Sequence, residues 1–193
     1  MFQCSHILMF NIMKRVFLGI DLPQELKSKI EKLKKQRHLD KLPIKLVEPI
    51  NSHIAVKFLD ELDDNQIQQI DELIKKLTQD FKPFDVTVSN SLVFPNSKMP
   101  RVLALKIVSH GLENAGNKII NKLGKLPFVK PENRKYTPHI TLGRIKGNLN
   151  NSEKNKIADL KFIDKFTVDS IQLFESQLTG NGPIYTVLKE YNL

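Results

Sequence analysis

"KYTPHITLGR", residues 135–144, sets a histidine in the middle of a run that otherwise reads as a half-buried strand. Ile140 and Leu142 alternate with His139 and Thr141. In a strand, side chains two apart share a face. His139 and Thr141 therefore point together, away from a core that takes Ile140 and Leu142. "NSHIAVKFLDEL", residues 51–62, repeats the arrangement. There Ile54, Val56 and Phe58 go one way, and His53, Ala55 and Lys57 the other.

The two histidines are 86 positions apart, and so are two other pairs of landmarks. Arg15-Val16 and Arg101-Val102 each open a strand; Leu26 and Leu112 lie in the helices that follow. A constant offset points to a duplicated unit. The elements agree. A strand (15–22) leads through Pro23 to a helix with Leu26, Ile30 and Leu33 at helical spacing. Strands at 44–47 and 52–59 precede a helix at 63–79, capped by Asp63 or Asp64, with the apolar stripe Ile67, Ile70, Ile74 and Leu77. Strands at 84–94 and 101–108 follow, then a helix at 111–124 ended by Gly124, a strand at 136–145 and a short helix near 152–160. "FTVDSIQLFESQL" and "PIYTVLKEY" flank "TGNG", a hairpin signal. Two similar lobes about a pseudo-twofold axis would bring the histidine strands face to face across a cleft.

The 193 residues suffice for one sizeable domain. We expect a single domain over 13–193, opened by the strand of "MKRVFLGIDLP", with residues 1–12 as an extension. Hydrophobic content of 40% with 26% charged residues marks an ordinary globular chain. Lys and Arg number 30 against 21 Asp and Glu, a formal +9. That balance favours polyanions such as nucleic acid, although a lysine-rich surface also serves solubility alone. A lone cysteine, Cys4, excludes an intramolecular disulfide, so a reducing cytoplasm is the expected location. No apolar run is long enough to span a membrane, and the N-terminal apolar run lacks the preceding basic residue of a signal peptide.

A single strand histidine is ordinarily structural. A pair in matched contexts carries more weight, and His6, His38 and His110 have no such context. Imidazole titrates near neutral pH, so two imidazoles can divide general-base and general-acid work. A phosphodiester suits them: one takes a proton from the attacking oxygen, the other gives one to the leaving oxygen. Thr141, on the face of His139, can donate to a phosphate oxygen. Arg144 would add a fixed cation. Strict alternation puts Arg144 on the core side, so the strand must end or twist before it.

"HIAVKFL" and "PHITLGR" resemble the paired His-x-Thr-hydrophobic motifs of the two-histidine phosphoesterase superfamily. Within it the chain is similar to the RNA 2′,3′-cyclic phosphodiesterases, also called 2′-5′ RNA ligases. "RVFLGIDLP", "EPINSHIAVKFLDEL", "RVLALKI", "YTPHITLGR" and "FTVDSIQLFESQLTGNGPIYTVL" carry the similarity in order, from about Lys14 onward. The resemblance implies an α+β, bilobal fold, with two antiparallel sheets lining a central basic cleft and helices outside. It implies metal-independent opening of a 2′,3′-cyclic phosphate at an RNA 3′ end, leaving a 2′-phosphate, without a cofactor. His139 would activate water and His53 would protonate the departing 3′ oxygen. Thr141 and Arg144 would bind the phosphate.

The chain departs from the family at Ala55, where the motif has threonine. A methyl group donates nothing, and a lost hydrogen bond to a charged group costs about 1.5–3 kcal/mol. We expect weakened or retuned activity. Lys57, on the predicted face of His53, is a substitute cation for the phosphate or else a solvated lysine. The competing reading is an RNA-end-binding protein with little catalysis. A metal site has little support, because no Cys cluster or His-Glu-x-x-His spacing exists. No Walker-type loop is present, which argues against a nucleotide-dependent ligase but not against weak reverse ligation. RNA 3′ ends and small cyclic nucleotides stay open as substrates, and a monomer is expected.

Overall fold

The structure is a computed structural model describing residues 12–180 and 182–193. The expectation for the N-terminal extension falls, up to residue 11, outside the described residues. The elements in chain order are β1 (Lys14–Asp21), α1 (Gln24–Gln36), β2 (Ile44–Leu46), β3 (His53–Leu62), α2 (Asp64–Thr78), β4 (Phe84–Phe94), β5 (Val102–Val108), α3 (His110–Leu123), β6 (His139–Ile145), α4 (Asn151–Ala158), β7 (Asp164–Val168), β8 (Ser170–Thr179) and β9 (Gly182–Asn192).

α2, α3 and α4 start where side chains satisfy their free N–H groups, while α1 starts at Pro23 without a side-chain cap. Asp63 accepts from the Gln66 N–H at 2.8 Å, and Gln66 accepts from the Asp63 N–H at 3.0 Å. Asn150 and Glu153 form the same reciprocal box at α4, at 2.9 and 2.8 Å. Ser109 caps α3 through the Leu112 N–H. The apolar stripes fall as their spacing requires: Leu26, Ile30 and Leu33 of α1, and Ile70, Ile74 and Leu77 of α2, are buried.

Among the described residues nine strands form one antiparallel sheet in the order β7-β4-β5-β6-β3-β1-β8-β9, with β2 added beside β6. The two expected sheets are its halves, β7-β4-β5-β6 and β3-β1-β8-β9. They join at the rung where Ile54 stands opposite Ile140. The α+β, two-lobed architecture holds, and the duplication shows in it: β4 and β8 begin 86 positions apart. The lobes are not simply the two halves of the sequence. β4, from the first half, pairs with β5 and β7; β8, from the second, pairs with β1. "FTVDSIQLFESQL" is not one strand. It breaks at Asp169, where the chain leaves β4 and crosses to β1. The apolar positions change phase at the break, from Phe166 and Val168 before it to Ile171 and Leu173 after it.

Candidate active site

Both histidines open a strand. The Ile54–Ile140 rung lies between them, so antiparallel geometry sets His53 beside Thr141, and Ala55 beside His139. Diagonal neighbours of this kind stand about 7–8 Å apart, room for a phosphate between two rings. Each ring is held the same way. His53 Nδ1 lies 2.8 Å from the Asn51 carbonyl oxygen, and His139 Nδ1 lies 2.8 Å from that of Thr137. A carbonyl only accepts, so each Nδ1 carries the proton and donates it. Nε2 is left in both rings as the atom that exchanges protons. Burial pushes His53 below the ordinary histidine range, against the opposing pull of the Asn51 hydrogen bond and the Asp21 charge; the charge of His139 adds to the lowering.

The alternation read from the sequence breaks in both histidine strands at equivalent points. Leu18 pairs with Lys57 and Gly19 with Ala55, so Val56 is an extra residue. Leu103 pairs with Gly143 and Ala104 with Thr141, so Leu142 is its counterpart. A β-bulge shifts every later side chain to the opposite face. In β6 this turns Gly143 inward and Arg144 outward, onto the face of His139 and Thr141. The twist that Arg144 required is this bulge.

In β3 the same shift overturns the placement of Lys57. Lys57 is 8% exposed and its Nζ lies 3.9 Å from Glu132 Oε2. It packs on the side of its register partner Leu18, away from the histidine, and leaves the phosphate-binding set. Phe58, expected in the core, is 55% exposed. It occupies in one lobe the place that Arg144 holds in the other.

The segment before His139 is strapped to β3. Tyr136 donates to the Ala55 carbonyl at 3.2 Å, and Lys130 pairs with Asp60 at 2.8 Å. Gly116 of α3 makes room for the Tyr136 ring: a Cβ there would collide with Cε1 of that ring.

Several cleft residues escaped the sequence reading. Phe17 lies 4.8 Å from the His53 ring, and Tyr185 meets that ring edge-on at 5.2 Å. Phe17 also stacks on Phe174 at 4.9 Å and leans on Phe58 at 5.4 Å. Phe94 covers His139 at 4.7 Å. The opposite wall is cationic. Lys106 is the strand neighbour of His139, and Lys45 that of Arg144. The 86-residue offset from Arg144 would have pointed to Phe58; nothing local marked Tyr185 or Phe174, which arrive from the distant hairpin.

Among the described residues no group of histidine, cysteine or acidic side chains is arranged to hold a metal ion, and no helix is long and apolar enough to cross a membrane.

The LigT-like phosphoesterase family model matches residues 20–104 and 111–185. The RNA 2′,3′-cyclic phosphodiesterase of Methanocaldococcus jannaschii is 37% identical over 180 residues, covering 92% of this chain and 99% of the relative. A protein of that name from Thermotoga maritima is 33% identical over 187 residues, covering 91% and 94%. Among solved structures, TT0787 of Thermus thermophilus superposes with a TM-score of 0.81 at 24% identity, covering 93% of this chain and 97% of its own. Escherichia coli LigT complexed with 3′-AMP gives 0.80 at 23% identity, covering 94% and 99%. At that identity these two bear on the fold alone. By its paired histidine strands and by both halves of the family match, the chain belongs to the LigT-like phosphoesterase family.

Proposed function

We propose that the chain is an RNA 2′,3′-cyclic phosphodiesterase that opens a terminal cyclic phosphate to a 2′-phosphate. The observation that carries the reading is the matched pair of rings, each with Nδ1 tied to a carbonyl and Nε2 free, on either side of the Ile54–Ile140 rung. The names of the relatives at 37% and 33% identity support the substrate class.

In the reaction, neutral His139 takes a proton from water at Nε2 as the water oxygen attacks phosphorus. The P–O3′ bond breaks, and protonated His53 gives its Nε2 proton to the departing O3′. The product keeps phosphate on O2′, and the two histidines have exchanged protonation states. Thr141 donates to a non-bridging oxygen, and Arg144 balances the charge that builds there. A bound phosphate monoanion favours the imidazolium of His53 against the burial that opposes it. Bases stack on the aromatic wall while the backbone follows the cationic one. Proton transfer needs only the imidazoles, so we expect turnover with EDTA present.

Ala55 supports a second reading, an RNA-end binder with little turnover, because the methyl group beside His139 gives the phosphate no donor. An oligonucleotide ending in 2′,3′-cyclic phosphate separates the two. Turnover that disappears in His53→Ala and His139→Ala supports the enzyme; tight binding without turnover supports the binder.

A further inference from the structure

The proposed mechanism needs one imidazolium, and burial works against it at His53. The groups around that ring come from five elements. β1 supplies Asp21, the register partner of His53, and the uncharged ring of Phe17. α1 supplies Lys27, whose Nζ lies 2.6 Å from Asp21 Oδ1 and whose side chain is 6% exposed. β6 supplies His139. β8 and β9 supply Phe174 and the phenol of Tyr185, which burial holds in its neutral form. Asp21 is therefore the carboxylate next to the ring. It is held in place by Lys27 and by the Leu22 N–H at 2.9 Å. The corresponding neighbour of His139, across the pseudo-twofold axis, is Lys106. One histidine has an anion beside it and the other a cation.

We propose that the Asp21–Lys27 pair is a positioning element that sets how readily His53 holds its proton, with Asp21 favouring the imidazolium and Lys27 tempering it. A carboxylate one strand away stabilises a cation through space. Its buried ammonium partner offsets part of that field. The pull of each charge on His53 runs in these directions. The pair itself rests on geometry; only the sign of its kinetic effect rests on reading His53 as the acid.

The test is an NMR titration of the His53 ring in the full chain, with kcat/KM on the cyclic-phosphate oligonucleotide at pH 7.5. Asp21→Asn keeps the shape and removes the charge. Lys27→Met keeps the buried stem and removes the opposing charge. The His53 midpoint should fall in Asp21→Asn and rise in Lys27→Met. In parallel kcat/KM should drop about three- to tenfold in the first and rise in the second. A midpoint that stays put in both variants, or moves the same way in both, overturns the proposal. Midpoints that move as stated while kcat/KM moves oppositely uphold the pair and overturn the acid role of His53.

Discussion

Ile54 and Ile140 face each other as the rung through which β3 pairs with β6, and each follows its histidine by one residue. Both side chains are fully buried. The pseudo-twofold axis passes through this rung, so what holds the lobes together also sets the spacing of the two imidazoles. The placement of the two rings and the packing of the lobes share one short contact.

Removing either ring should therefore stop the reaction without unfolding the chain. His53→Ala and His139→Ala should each lower kcat by about 10²–10⁴-fold, the usual weight of general acid–base catalysis. Circular dichroism and the urea midpoint should stay near wild type, because both rings are only partly buried.

Ala55→Thr should raise activity. The new hydroxyl would stand beside His139, on the cleft face, where the present side chain is a methyl. Gaining a hydrogen bond of about 1.5–3 kcal/mol in the transition state corresponds to roughly ten- to hundred-fold in kcat. A gain in kcat/KM that comes only from a lower KM would show that the hydroxyl binds ground state and transition state equally.

Lys57→Met tests the bulge. If Lys57 faced the phosphate, kcat/KM would fall by an order of magnitude. With its ammonium directed to Glu132 and its stem buried, the expected change is under about twofold, and any change in stability should be within about 1 kcal/mol.

Gly143→Ala tests the other bulge. A Cβ there would lie 2.5 Å from Ile44 Cγ2 and 2.8 Å from the Lys45 carbonyl oxygen. β2 would have to lift off β6. Overpacking of this kind costs about 1–3 kcal/mol in urea denaturation, and kcat/KM should fall as Arg144 moves with the strand.

Burial of His53 also couples stability to pH. Its folded pKa lies below the unfolded value of about 6.5. Between the two, the unfolded chain binds more protons, so stability rises with pH through that window and is lost on acidification. The melting temperature should drop between pH 7.5 and 5.5, and His53→Gln should reduce that drop. Equal drops in both proteins would show that His53 is not the group responsible.

The two histidine strands and the helix stripes were legible in the sequence because they depend on local period and on the repeat; the outward side of Arg144 was not, because strict alternation puts it in the core until the bulge at Leu142 turns it out. Lys57 and Phe58 exchanged roles because one extra residue, Val56, changes the strand's phase, and no residue type at the bulge announces it. The crossing at Asp169 did leave a trace, a phase slip between Val168 and Ile171, which are both buried, each in a different lobe. Phe174 and Tyr185 reach His53 only because β8 and β9 complete the first lobe from the end of the chain. Contacts so distant in sequence leave no periodic trace.

The most direct test of the paired-imidazole mechanism is single-turnover hydrolysis of an oligoribonucleotide ending in 2′,3′-cyclic phosphate, run in EDTA. Wild type should release a product bearing only a 2′-phosphate, and His53→Ala and His139→Ala should release none. A 3′-phosphate product, or wild-type turnover retained in either histidine variant, would contradict the mechanism.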